Sequence, residues 1–267
     1  MRRQYTISEP LYAKREQLVS QIPNFWPLVF EQAPPEIDTY IQPSDSEVFA
    51  QCMIGLDVRR FEVPLGPERI KEDSDGGDPR SVSIRFEFAE NDWFEDTILE
   101  KKFWYRRAND GWTGLVSEPV RIHWKKGKDM THGLMEGTLK LWEARKQAGD
   151  MTLRDLPEFD ALSKLVENWN GSNTSFFTWF AFISARRWVS AEESRRATLA
   201  ENERRRKIKD GGKVETADTP EPDTLEQQVE VHEDGDSLAM VIADDLWPSA
   251  IKYFSKNHQS YSFGAHG

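Results

Sequence analysis

Between positions 80 and 107 the apolar side chains fall on every second residue. Val82, Ile84, Phe86 and Phe88 alternate with Ser83, Arg85 and Glu87, the repeat of a strand that buries one face. Asn91-Asp92 interrupts the run, and Trp93-Phe94 with Glu95-Asp96 suits a short turn or helix end. Leu99, Phe103 and Tyr105 then resume the odd spacing, with Glu100, Lys102 and Trp104 between them. The pattern predicts an antiparallel pair, packed on one face and polar on the other. A first strand is expected over residues 54–63, burying Leu56, Val58 and Phe61. Another is expected where Val120, Ile122 and Trp124 alternate with Arg121 and His123. Turn signals at residues 72–79 and at Ala108-Asn109-Asp110-Gly111 separate these strands.

Helical spacing flanks the strands. Residues 8–21, with Pro10 in the first turn, predict one helix, and residues 25–30 enter a second that Pro34-Pro35 stops. Ser44-Asp45-Ser46 reads as an N-cap before a short helix over 47–53. Two more helices are expected over 133–146 and 156–169, the latter stopped by Asn170-Gly171-Ser172-Asn173. Positions 174–188 (TSFFTWFAFISARRW) are the most apolar helical candidate and grade into an Arg- and Glu-rich solvated helix over 191–209. Residues 213–230 carry Pro220, Pro222, many acids and few apolar side chains, so disorder is expected there. Apolar character returns at 238–242, and Trp247-Pro248 opens a last short helix through Phe254 before a polar tail.

Charge adds the next piece. The chain of 267 residues has 46 acids against 35 bases, a net charge of −11. Eleven of those acids lie between Val214 and Asp245, a window with no Lys or Arg, which leaves 35 acids against 35 bases elsewhere. Such a segment repels nucleic-acid phosphate and attracts a basic partner, or else serves as a solvated acidic linker. No direct specific DNA binding is therefore expected. The longest apolar run, near residues 176–183, is too short to span a bilayer, and MRRQYTISEP has no apolar run behind its arginines, so no membrane association or secretory signal is read. A single Cys52 excludes an internal disulfide and fits a reducing compartment. The ten Trp and fifteen Phe are bulky core material, so the chain is expected to fold around a substantial core.

Catalytic chemistry is not legible. The five histidines (His123, His132, His232, His258 and His266) are scattered without metal-ligand spacing, and there is no glycine-rich phosphate loop or G-x-S-x-G elbow. No enzyme, metal or cofactor is expected. Arg204, Arg205, Arg206, Lys207 and Lys209 form either a nuclear-import patch or a charged, solvated helix face.

Five blocks carry a resemblance: IPNFW (22–26), IRFEFAENDWF (84–94), IHWKKGKDMT (122–131), SFFTWF (175–180) and DDLWPSAIKYF (244–254). In this order they resemble the nucleosome-assembly-protein (NAP/SET) family of histone chaperones, its SET-like branch in particular. The resemblance implies an α+β fold in which a dimerisation helix leads into an earmuff-shaped domain, an antiparallel sheet covered by helices. It further implies a non-catalytic nuclear protein that binds core histones and promotes nucleosome assembly, forms a homodimer, and partners a histone acetyltransferase or inhibits a phosphatase in some relatives.

On that likeness, residues 1–27 are the remnant of the dimerisation helix and 28–182 the earmuff domain, with a helical insertion at about 132–173. Residues 183–235 are a charged helix and disordered acidic insertion, 236–256 complete the domain, and 257–267 are a disordered tail. The histone-facing surface is expected to include Thr178 and the acids Glu233, Asp234 and Asp236. Ala181 and Phe182 depart from the polar residues of that branch. Asp244 and Asp245 belong to the surface or cap the helix entered at Trp247-Pro248. Phe176, Phe177, Phe180, Trp247 and Phe254 are expected in the core.

Overall fold

The computed structural model describes residues 2–63, 77–169, 174–209 and 226–263, with side chains to Lys256. Its centre is a four-stranded antiparallel sheet in sequential order: β1 (Met53–Arg59), β2 (Val82–Phe88), β3 (Ile98–Arg107) and β4 (Thr113–Ser117). The alternating stretch is the β2–β3 pair, with Val82 opposite Phe103 and Phe86 opposite Leu99. Val82, Ile84, Phe86, Leu99 and Phe103 are buried, while Glu100 and Lys102 face solvent. Leu56 and Val58 are buried in β1, but Phe61 lies past its end, half-exposed and edge-on to Trp104.

The turn after β3 closes with the Ala108 N–H donating to the Trp112 carbonyl at 2.8 Å. It places Thr113 opposite Arg107, so β4 pairs at once and the next strand is not residues 120–124. There the chain is irregular: the Val120 N–H donates to the Phe180 carbonyl at 2.8 Å, and Trp124 makes an isolated bridge to Phe94. His123 is exposed, its ring 2.8 Å from Asp96.

Nine α-helices occur among the described residues: α1 (Arg2–Val19), α2 (Phe25–Glu31), α3 (Pro35–Asp38), α4 (Pro43–Cys52), α5 (Leu134–Ala148), α6 (Pro157–Asn168), α7 (Ala191–Lys209), α8 (Gly235–Val241) and α9 (Ala250–Phe263). α1 starts earlier than its apolar spacing indicates, so Pro10 sits in its interior, where a proline leaves one helix carbonyl without its N–H partner. α9 continues past residue 256 to Phe263. Most of the turn at 72–79, the stop at 170–173 and residues 210–225 lie outside the described residues. The end of the expected disordered stretch is folded: Glu226–Val229 forms a 310 turn with Val229 buried, and Arg145 holds Glu226 at 2.6 and 3.2 Å.

The largest departure is at 174–188. In place of a long apolar helix, the chain forms a 310 segment, Phe176–Ala181, with all six residues buried. Phe176, Trp179 and Phe180 meet Phe86 near edge-on at 5.8–6.1 Å, and Phe103 lies 5.3 Å from Trp179. A segment buried all round cannot send its terminal backbone groups to water, and two buried charges take them instead. Asp45, at the third position of α4 rather than its cap, accepts from Ser175 Oγ at 2.5 Å and the Phe176 N–H at 2.7 Å. Lys101, on the packed face of β3, donates to the carbonyls of Phe180 (3.0 Å), Phe182 (2.9 Å) and Glu118 (3.0 Å). An anion at the start and a cation at the end suit the direction of the backbone dipoles. Burial pushes the Asp45 carboxyl up and the Lys101 ammonium well down, opposed by the hydrogen bonds to Asp45 and by the Glu118 charge near Lys101.

IPNFW and DDLWP meet at α1. The Arg15 guanidinium lies over the rings of Trp247 (4.4 Å), Tyr12 (4.9 Å) and Trp26 (5.8 Å), and the Trp247 indole donates to the Leu56 carbonyl at 3.0 Å. Cation–π contact and aromatic burial thus hold the first helix against β1 and the last apolar block.

Candidate functional site

Residues 230–236 (EVHEDGD) run from the core to the surface. His232 is 4% exposed, and the Gly235 carbonyl accepts from the Trp179 indole at 2.8 Å. A Cβ at Gly235 would lie 2.4 Å from the Phe182 ring, so glycine is required for this close approach. Asp234 adopts a left-handed conformation, φ 53°, that turns the chain between these two anchors. The result is local: Glu233 and Asp234 stand exposed, and Glu230 and Asp236 half-buried beside them.

Among the described residues, none of these four carboxylates has a lysine, arginine or histidine nitrogen within 4.0 Å. Burial, then the charges of Glu233, Asp234 and Asp236, push the Glu230 carboxyl up to about 7. Burial also raises Asp236, with the Ser237 N–H opposing and Asp234 adding to the rise.

A pH dependence follows for Glu230. The folded chain holds this proton more tightly than the unfolded chain, so its contribution to stability falls as pH rises from 4.5 towards 7. Glu230→Gln is expected to raise stability near pH 8 by about 1–2 kcal/mol after allowance for solvent screening. Urea unfolding of both proteins near pH 5 and pH 8 checks this, the difference shrinking at the lower pH.

Beside the turn lies a cleft of about 370 Å³ lined in part by Tyr40, Trp169, Glu230, His232 and Glu233. The Tyr40 hydroxyl donates to Asp234 at 3.5 Å.

The structure therefore brings Glu233, Asp234 and Asp236 together and adds Glu230, which sequence reading counted only as one acid of the window. Thr178 is placed differently: it is 1% exposed, and its hydroxyl donates to the Ser175 carbonyl at 2.8 Å. Ala181 and Phe182 are buried too, because the 310 segment and the residue that follows it both face inward. Asp244 and Asp245 lie in a π turn, Ile242–Leu246, where Asp244 pairs with Arg60 and Asp245 accepts from the Tyr253 hydroxyl at 2.7 Å. Neither carboxylate therefore caps α9 through a backbone N–H, although the Tyr253 bond ties Asp245 to the first turn of that helix. Tyr253 is pushed up to about 12 by burial and by Asp245. At the end of α7, Arg204 and Arg205 each grip Glu201 at 2.7 Å, and Arg206, Lys207 and Lys209 are exposed. No group of three or more His, Cys, Asp or Glu among the described residues could hold a metal, and none of their helices is long and apolar enough to cross a membrane.

The nucleosome assembly protein (NAP) family matches residues 6–257. This chain belongs to that family. A nucleosome assembly protein of Schizosaccharomyces pombe is 31% identical over 140 residues, covering 49% of this chain and 52% of that protein. Protein SET of Drosophila melanogaster is 30% identical over 128 residues, 46% of this chain and 41% of the relative. The chain thus aligns with about half or less of the length of these two relatives. The crystal structure of the Vps75 histone chaperone superposes with a TM-score of 0.54 at 18% identity, covering 96% of this chain and 88% of that one, which shows a shared fold. In this NAP-family protein the sheet, the SFFTWF segment and the IPNFW–DDLWP junction are core, and the EVHEDGD turn, just before the DDLWP block, carries acids to the surface without ion pairs among the described residues.

Proposed function

We propose that this protein is a nuclear histone chaperone that binds core histones without turnover and promotes nucleosome assembly. The observation that carries the reading is the group of four carboxylates, Glu230, Glu233, Asp234 and Asp236, held on an anchored turn without a countercharge among the described residues. Histone lysines and arginines would supply that charge, in competition with DNA phosphate. At physiological salt the attraction acts over roughly 8 Å, so close fit must add specificity to it. Membership of the NAP family supports the same reading, and the exposed basic end of α7 is compatible with nuclear import.

Titrating each of the separated core-histone pairs into the protein over a salt series, with DNA as competitor, tests this. Binding that weakens with salt and withdraws histones from DNA is the expected result. Equal affinity for any basic protein, or no histone binding at physiological salt, would refute it.

Homodimerisation through α1 belongs to the same proposal. Ile7, Leu11 and Leu18 are each more than half exposed and spaced four and seven residues apart, which places them on one helix face. Leu11→Glu is expected to convert a dimer to a monomer in sedimentation velocity at micromolar concentration, with the melting temperature little changed.

A further inference from the structure

The cleft beside the acidic turn has a lining that long-range charge attraction does not require. Tyr40 follows α3, Trp169 follows α6, and both present half-exposed rings. The Trp169 indole donates to Thr174 Oγ1 at 2.8 Å, and its ring packs 4.8 Å from that of His132, so its orientation is fixed. The Tyr40 ring lies 4.9 Å from His232. Glu230 and Glu233 contribute carboxylates, and Val166 an apolar wall.

His232 is the unexplained group. It is more than nine-tenths buried, and neither ring nitrogen reaches hydrogen-bond geometry with a protein atom. The backbone of Glu233 and of His232 itself favours protonation of the ring, but burial outweighs this and lowers it to about 4. The imidazole is therefore neutral at physiological pH and keeps one nitrogen lone pair, which is costly to bury without a donor.

We propose that this cleft receives a single lysine side chain of a basic polypeptide. Its four-carbon stem packs against Tyr40, Trp169 and Val166, and its ammonium is held by Glu230 and Glu233 beside the His232 ring, whose nitrogens do not open on the cleft. An ammonium has three donors and no acceptor, which suits two separate carboxylates, and aromatic faces attract it further. Arginine suits the site less, because its rigid planar fork is matched by the two oxygens of one carboxylate. Acetylation of the lysine removes the charge and two of the donors, so the cleft discriminates against acetylated clients. The source of the lysine rests on the histone reading above, whereas the site stands on its own lining.

The test titrates N-acetyl-lysine methylamide into the intact protein and follows the Trp169 indole ¹⁵N–¹H signal, assigned with Trp169→Phe. A saturable millimolar shift is expected, about tenfold weaker in Glu230→Gln because one charge contact is lost, and absent for the ε-acetyl-lysine and norleucine analogues. Circular-dichroism melting confirms that Glu230→Gln remains folded. No saturable shift, an equal shift with the norleucine analogue, or an arginine analogue that binds as tightly would overturn the proposal. If histones bind while the lysine analogue does not, the cleft assignment alone fails. If the analogue binds while histones do not, the chaperone reading fails and the cleft remains.

Discussion

Lys101→Met is expected to destabilise the protein by about 2–3 kcal/mol, although the two side chains are similar in length and the site is fully buried. Methionine would avoid the cost of burying an ammonium, a cost visible in the strong downward push on the Lys101 pKa. It would also leave the Phe182 carbonyl without a donor, and reduce the Phe180 and Glu118 carbonyls to one donor each, the Val120 N–H at 2.8 Å and the Ser117 hydroxyl at 3.2 Å, where Nζ now donates to all three at 2.9–3.0 Å. A buried polar group stripped of its partner costs about 1–3 kcal/mol. That full loss, with the weakening at two further carbonyls, exceeds the desolvation relief from removing one charge that already carries three bonds. Lys102→Met, one residue away on the solvent face and paired with Glu100 only at 3.6 Å, is expected to change stability by less than about 0.5 kcal/mol. Urea unfolding of the two variants side by side checks the contrast. Equal effects would show that Nζ is not what holds the 310 segment.

The second large effect concerns binding. Neutralising Glu233, Asp234 and Asp236 together (E233Q, D234N, D236N) is expected to lower histone affinity by about 30–100-fold at low salt and to flatten its salt dependence. Each unscreened charge contact at a surface contributes about 0.5–1 kcal/mol, and three of them sum to roughly 1.5–3 kcal/mol, a range that brackets this loss. All three side chains reach solvent and none is ion-paired among the described residues, so their removal leaves no buried cation behind. The fold should tolerate the change, since their mutual repulsion raises the energy of the free protein. A control with the same net change, Asp92→Asn, Asp160→Asn and Glu192→Gln, removes three exposed acids from separate places. Fluorescence titration should give that control a loss of less than about threefold. Matching losses would mean that net charge acts and the turn does not.

Period-2 alternation was enough to locate β2 and β3, because a strand with one buried face must repeat every two residues and Val82, Ile84, Phe86 and Phe88 obey this without exception. Lys101 was legible in principle. It occupies an odd position between Leu99 and Phe103, so the register that buries those two buries it as well. A lysine is usually read as outward, and no local pattern announces that three carbonyls lie within its reach. β4 went unseen because TGLVS is five residues long and carries little alternation, while residues 120–124 alternate but have no partner strand. Thr178 illustrates the same limit. A hydroxyl in a run of aromatics gives no sign of whether it faces water or, as here, the backbone of Ser175.

By itself the sequence determined the sheet platform, the bulk of the helices, the blocks that carry the family likeness and the concentration of negative charge between residues 214 and 245. These follow from periodicity and composition, which act over a few residues and survive any arrangement of the rest. Tertiary structure alone decided that SFFTWF is a 310 segment capped by Asp45 and Lys101, residues 130 positions before and 79 before in the chain. It also decided which acids remain unpaired, since Glu226 and Asp244 meet arginines and the four of the EVHEDGD turn do not. Burial and countercharge depend on what distant segments bring to the same point, and that is a property of the folded chain.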